Sequence, residues 1–400
     1  MNTNIEFFDT EPMENMMTCL NFQMDRVVFF GYSDIMTREK ISDTRKALKR
    51  ICGMEEIDFI EVSRMDLKRN LEILKRTVEK EIKAGNQCFY DLTGGKDLVL
   101  VAMGMLSDQM FCPMHRFNMK TGELRVLNPR EGKSIGECVP RRKISLTLDD
   151  VISIYGGMIS YREQKEFKTK LKDEGFKKAT QAMWKIAKNS QRKWNGLSSV
   201  FRGCTNYEDE DRQVVVAEDV LRSIIGSEFG PDKVENFYAY LQKLVPIGAI
   251  KGLGKRQGNI MFTYANEALR DVLLDAGSLL EIMTYYHMTE NGDYSDARIG
   301  VHIDWDGVYT GADVKNEIDV MLLEDYRPVF ISCKNGKADQ MALYELHTVA
   351  DRFAGKYGKK MLMTSQELSE GHVLRAEELG IECVYSREIS DPLVGTSGGR

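Results

Sequence analysis

The cysteines of this chain never fall at CxxC spacing. Eight of them lie scattered at 19, 52, 88, 112, 138, 204, 333 and 383, with no Cys/His cluster. That excludes a structural zinc site and a disulfide framework and points to a reducing cytoplasm. Prolines are few, eight in 400 residues, and no apolar run is long enough to cross a bilayer, so no membrane partner is expected. The opening MNTNIEFFDTEP lacks the basic region and apolar core of a signal peptide. A net charge of −6 rules out a generally basic coat, so any polyanion must be held by local sites. Neither GxGxxG nor GxxxxGK[ST] occurs, which disfavours an ordinary dinucleotide or NTP site. No internal repeat is seen, and the last residues, ending in VGTSGGR (394–400), read as a tail over 393–400.

What is present is an alternation of strand and helix patterns. NIEFF (4–8), RVVFF (26–30), IDFIEV (57–62) and QCFYDL (87–92) read as strands. PMENMMTCL (12–20), TREKISDTRKALKRI (37–51) and DLKRNLEILKRTVEKEIKAG (66–85) read as helices between them. TGGKDLVLVAMGMLS then opens a helix and PMHRFNM a further strand. This order predicts an α/β fold with a mostly parallel, Rossmann-like sheet over residues 1–150.

In such sheets ligands sit beyond the carboxyl ends of the strands, where strand order reverses. The first and fourth strands become central neighbours, with exits DTEP (9–12) and LTGGKD (92–97), and the second exits into GYSD (31–34). Candidate ligand residues are Thr10, Glu11, Pro12, Tyr32, Ser33, Thr93, Gly94, Gly95, Lys96 and Asp97. The glycines allow close backbone approach, the following helix start offers N–H groups, and Lys96 adds positive charge. A tight turn explains Gly-Gly equally well.

Residues 151–270 read as a helical segment with a hairpin. The stretch 162–194 is basic, from Arg162, Lys165 and Lys168 to Arg192 and Lys193, with Trp184 and Trp194 among the cations. A phosphate-tracking face is one reading; a solvated helix face with core tryptophans is the preferred one. NFYAYLQKLVPIGAIKGLGKRQGNIMFTY (236–264) reads as a helix followed by a hairpin with a basic tip, either a wing against nucleic acid or a surface turn.

The last third, 271–392, carries the chemistry. In NEIDVMLLEDYRPVFISCKNG (316–336), two short apolar runs flank EDYR and a proline, the pattern of a β-hairpin. With Glu324 to Arg327 as the connection, Leu323 faces Pro328, Asp319 faces Ser332 and Glu317 faces Lys334. These last four then share one face. Two carboxylates there need a partner, and a divalent cation supplies one. Asp319 and a second carboxylate offer hard oxygen ligands to Mg2+ or Mn2+, a backbone carbonyl near Cys333 can join, and Lys334 can orient water or steady a phosphoryl transition state. Glu281, alone on the apolar helix GSLLEIMTYYHM (277–288), is a third candidate ligand. His302, Asp304 and Asp306 in GVHIDWDG lie nearby, although WDG reads more simply as a turn. ADQMALYELHTVADRFAG (338–355) reads as a helix and KKMLMTS (359–365) as a strand. Helix, hairpin, helix, strand is the order of a restriction-endonuclease-like core.

NEIDV followed by VFISCKNG resembles the PD-(D/E)xK nuclease motif, and the whole chain resembles the ancillary nucleases of type III CRISPR systems, in which a CARF sensor domain is joined to such a nuclease. The motif departs in one place: Ser332 stands where an acidic residue is expected two before the lysine, and Glu317 is the candidate replacement. The resemblance implies a homodimer that binds cyclic tetra-adenylate across its two-fold axis. It also implies activation of metal-dependent cutting of single-stranded DNA or RNA, or of supercoiled duplex DNA, with little sequence preference. A reading of a different class makes the chain a nucleotide-sensing transcription regulator that grips DNA with its middle segment.

Overall fold

The computed structural model describes residues 1–22, 24–128, 137–141, 145–161, 165–307 and 315–389. Arg162, the side chain of Asp97 and the tail lie outside them.

The first strands include buried apolar runs: Val27, Val28, Phe29 and Phe30 are all buried, as in a strand covered on both faces. They alternate with helices as β1 (Asn2–Phe7), α1 (Glu14–Asn21), β2 (Arg26–Gly31), α2 (Arg38–Cys52), β3 (Glu56–Glu61), α3 (Leu67–Lys83), β4 (Gln87–Asp91), α4 (Asp97–Met110), β5 (Met114–Phe117), β6 (Leu124–Leu127) and β7 (Glu137–Val139). Helix starts are set by short polar side chains. Thr37 accepts the N–H of Lys40, and Asp66 accepts that of Arg69 at 2.9 Å. Sheet order is β3-β2-β1-β4-β5-β6-β7, parallel up to β5 and antiparallel after it. The predicted Rossmann-like order holds, with β1 and β4 adjacent and the switch point between them.

The chain continues through α5 (Leu148–Ile154), β8 (Met158–Ser160), α6 (Phe167–Lys170), α7 (Glu174–Lys188), α8 (Gln191–Cys204), β9 (Gln213–Ala217), α9 (Glu218–Ile224), α10 (Lys233–Leu244), β10 (Ile250–Arg256), β11 (Asn259–Tyr264) and α11 (Glu267–Leu274). The boundary expected at residue 150 falls inside α5, and β8 leaves the middle segment to pair with the last domain's sheet. Trp184 and Trp194 are core residues, as preferred above. The hairpin β10–β11 gains a third strand, β9. Its basic tip is partly neutralised, because Lys255 pairs with Glu235 at 2.7 Å and Glu218 at 3.4 Å.

The last domain follows as α12 (Ser278–Asn291), β12 (Asp296–Asp304), β13 (Lys315–Glu324), β14 (Arg327–Lys334), α13 (Gln340–Phe353), β15 (Lys359–Thr364), α14 (Glu370–Glu378) and β16 (Ile381–Tyr385). Its six-stranded sheet runs β16-β15-β14-β13-β12-β8. One face packs with α13, α5 and the core of the N-terminal domain; the other packs with α12 and the middle helices. The sheet thus joins the other two parts of the chain.

The expected hairpin register is present, with Leu323 opposite Pro328 and Val320 opposite Ile331. Because Glu324 also pairs with Arg327, the turn is only Asp325–Tyr326, and Asp325 adopts the positive φ (63°) that such a two-residue turn requires. The turn is docked in the N-terminal domain. Tyr326 O–H donates to the Met119 carbonyl at 2.7 Å, and Arg141 donates to both Asp325 oxygens at 2.6 and 2.8 Å.

Candidate active site and sensor cleft

Residues two apart in a strand share a face. Along β13, however, Leu322 and Val320 join the core beside the middle helices while Ile318 joins the sensor-side core. On β12, Ile299 and Val301 make the same switch. The two strands therefore roll over together at Gly300 and Asp319, where Gly300 takes φ 58°. This corrects the expectation that Glu317, Asp319, Ser332 and Lys334 share a face. Ser332 and Lys334 alternate with Cys333, which belongs to the middle-side core, whereas Glu317 has rolled to the middle side.

Asp319 sits at the roll. Its Oδ2 accepts the Cys333 backbone N–H at 2.6 Å and the Ser332 hydroxyl at 3.3 Å, so the carboxylate closes the end of the ladder between β13 and β14. Cys333 contributes backbone only, since its thiol is turned into the core toward Thr284 Oγ1 at 3.6 Å. In an antiparallel pair the N–H and C=O of one residue leave by the same edge, so the Cys333 carbonyl is the group available beside Asp319. Lys334 stands near enough to favour the ionised form of Asp319.

Glu281, in the first turn of α12, faces this centre. Burial, and then the negative charge of Asp319, push its carboxyl up to about 8; Asp319 is raised as well, again chiefly by burial. Two carboxyls crowded in poor solvent, with Asp319 raising Glu281 and Glu317 raising both, are a donor set that suits a hard divalent cation. Glu317 is more exposed and lies 3.9 Å from both Lys168 Nζ and His302 Nε2. Among the described residues, no three His, Cys, Asp or Glu donors are already gathered around one point, so Glu281 and Asp319 form the nucleus and Glu317 the rim. His302 pairs with Glu317 across β12 and β13, while Asp304 is buried and Asp306 lies in the turn.

Two lysines that the sequence reading placed only in a basic stretch reach this region. Lys168 of α6 donates to the Gly300 carbonyl at 2.7 Å, and Lys165 donates to Asp275 at 2.5 Å just before α12. Both belong to the basic stretch 162–194, which spacing alone could not connect to β12.

A cleft of about 800 Å³, the candidate sensor cleft, lies at the β1/β4 switch point. Thr10, Glu11, Thr93, Gly94, Gly95 and Lys96 line it, joined by Asp9, Glu14, Arg116, Lys356 and Tyr357. Tyr32, Ser33 and Pro12 are not in its lining. Tyr32 is buried edge-on against Phe7, under the Arg64 guanidinium, and Ser33 is exposed elsewhere. The glycine loop is not an open cradle either. Asp9 Oδ2 accepts the Gly95 N–H at 3.1 Å, and Asp91 accepts the Thr93 N–H at 2.8 Å. Gly95 is required for room as well as for its φ of 121°, because a Cβ there would meet Leu100 at 2.9 Å. The cleft is shared between domains. Glu11 accepts the Lys356 N–H at 2.9 Å and the Tyr155 hydroxyl, and Glu14 accepts the Tyr357 hydroxyl.

Residues 267–392 match the family described as the Card1-like endonuclease domain, and the match begins at the first residue of α11. No curated protein matches the chain in sequence. Among solved structures, protein VC1899 from Vibrio cholerae is 18% identical with a TM-score of 0.74, covering 98% of this chain and 95% of its own. Can2 from Sulfobacillus thermosulfidooxidans, solved in complex with cyclic tetra-adenylate, is 15% identical with a TM-score of 0.66, covering 96% and 95%. At such identities the likeness is one of fold, and it extends over nearly the whole chain. No helix among the described residues is long and apolar enough to cross a membrane.

Proposed function

We propose that this chain, whose residues 267–392 are an endonuclease domain of the Card1-like kind, is a metal-dependent nuclease of CRISPR antiviral defence, gated by a cyclic oligoadenylate bound in the sensor cleft. The observation that carries the reading is the Asp319 carboxylate. It is fixed by the Cys333 N–H beside the half-buried Glu281 and within reach of the Lys334 ammonium.

In this reading Glu281, Asp319 and the Cys333 carbonyl hold Mn2+ or Mg2+, with Glu317 at the rim. The bound cation would supply a water acidified toward neutrality and neutralise charge on the phosphate. The Cys333 amide keeps Asp319 from rotating away. The Lys334 ammonium, on the other flank, is placed to stabilise charge growing on a phosphate oxygen. Such a centre touches backbone phosphate rather than base edges, which suits single-stranded DNA or RNA, or strained supercoiled duplex, with little sequence preference.

The activator is cyclic tetra-adenylate, taken up across the two-fold axis of a homodimer. Lys96, Arg116 and Lys356 supply cations for its phosphates. Can2 has the same overall fold and binds this ligand. Because Lys356 and Tyr357 belong to the nuclease side of the cleft, ligand entry bears on both domains at once. The test is cleavage of labelled single-stranded and supercoiled substrates in Mn2+, with and without cyclic tetra-adenylate. Cutting that ignores the ligand removes the gating, and no cutting under either condition removes the nuclease.

A further inference from the structure

Lys168 lies more than a hundred residues from the hairpin, yet its ammonium is embedded in the nuclease centre. Its side chain is only 9% exposed, and Nζ donates to the Gly300 carbonyl at 2.7 Å. Gly300 falls between Ile299 and Val301, which pair with Val320 and Ile318, so the ammonium enters the sheet across from Asp319. The position is built for it: a Cβ on Gly300 would stand 2.3 Å from Nζ and 3.1 Å from Glu317 Oε1. Glu317 is 3.9 Å away, and Glu281 and Asp319 are close enough to act on Lys168 electrostatically. Gly300 uses one N–H donor of three, and the carboxylate rim faces the others.

We propose that Lys168 is an internal counter-ion of the cation site: it balances Glu317, Glu281 and Asp319 while no divalent cation is bound, and it turns to a phosphate oxygen of the substrate strand once one is. Carboxylates packed together in poor solvent repel one another and need a positive charge nearby. Lys334 serves the sensor-side flank, and Lys168 serves the other. A divalent cation arriving among the same oxygens is repelled by Lys168, which therefore lowers the protein's affinity for the cation. The strand then brings negative charge of its own and re-employs the ammonium.

This role gives a signature opposite to that of a lysine that merely ties α6 to β12. Lys168→Met keeps the aliphatic stem and removes the charge; Lys168→Arg keeps the charge. Calorimetric titration of the intact protein with MnCl2 alone should show Lys168→Met binding Mn2+ about 3- to 10-fold more tightly than wild type, with Lys168→Arg near wild type. Melting in EDTA should fall for Lys168→Met, and Mn2+ should recover more of that loss than it adds to wild type. Under activating conditions the KM for nucleic acid should rise at least about fivefold in Lys168→Met and return toward wild type in Lys168→Arg. Unchanged or weaker Mn2+ binding in folded Lys168→Met overturns the proposal, as does an unchanged KM. The inference rests on the nuclease reading, yet the two fail separately. Wild type that binds Mn2+ without cutting defeats the reading, whereas wild type that cuts while Lys168→Met titrates identically defeats only the counter-ion.

Discussion

Glu11, in the loop that leaves the first sensor strand, accepts the backbone N–H of Lys356 in the nuclease domain at 2.9 Å. The same carboxylate takes the Tyr155 hydroxyl, and three residues on Glu14 takes that of Tyr357. A ligand entering this cleft meets the contacts that join its two walls. Glu11→Gln and Tyr357→Phe should therefore uncouple binding from cutting, and the ratio of cleavage with and without cyclic tetra-adenylate should fall toward one. Each charge-assisted bond lost should also cost about 1.5–3 kcal/mol of stability. A cleavage assay paired with a denaturant melt reads both effects; an unchanged activation ratio would show that the signal passes elsewhere.

At the proposed catalytic centre, Lys334→Ala and Asp319→Asn should each reduce cutting by on the order of 100-fold or more, with the fold retained. Asparagine is the sharper probe, because it keeps an acceptor for the Cys333 amide that alanine would leave unpaired at a cost of about 1–3 kcal/mol. Circular dichroism confirms folding, and single-turnover kinetics measure the loss.

Acidity gives a separate signature. Glu281 ordinarily titrates near 4.5 and is held up to about 8 by burial and by Asp319. Between these values the folded protein binds a proton that the unfolded chain has released. Its contribution to stability is therefore full below about 4.5 and is lost as pH rises through about 8. In EDTA the wild-type melting temperature should decline across that window, and Glu281→Gln should flatten the decline. Stabilisation by Mn2+, which displaces the proton, should grow across the same window. Parallel pH profiles for the two proteins in EDTA would contradict this.

In the sensor cleft, Arg116→Ala and Lys96→Ala should each weaken cyclic tetra-adenylate binding by about 10-fold, as expected for the loss of one charge-assisted contact. Ser33→Ala should leave affinity unchanged, because Ser33 stands outside the lining. Titration calorimetry with the cyclic nucleotide decides both.

The fold of the first 150 residues was legible because short strand patterns such as RVVFF alternate with amphipathic helices. The hairpin was legible because its turn and its proline fix the register as far as Val320↔Ile331. The reading failed at Glu317 because the roll depends on Gly300, which lies in a strand that apolar patterning did not single out. Asp9 was present in the quoted DTEP and passed over, since nothing in the residue order says that a carboxylate will cap the glycine loop. Lys168 stood out only as part of a basic stretch, and Lys356 and Tyr357 carried no local signal; they reach their partners across 132, 345 and 343 positions of chain.

The docked turn at Asp325–Tyr326 has a mechanical meaning. From Glu324, beside the turn, back to Asp319 is about 17 Å of β13 at about 3.3 Å per residue. One end is bolted to the Met119 carbonyl and the Arg141 guanidinium, and the other bears the carboxylate at the heart of the nuclease centre. Such a hairpin works as a torsion bar. On the proposed gating, a few degrees of rotation in the N-terminal sheet would reach Asp319 as a change of aim, without any segment having to unfold.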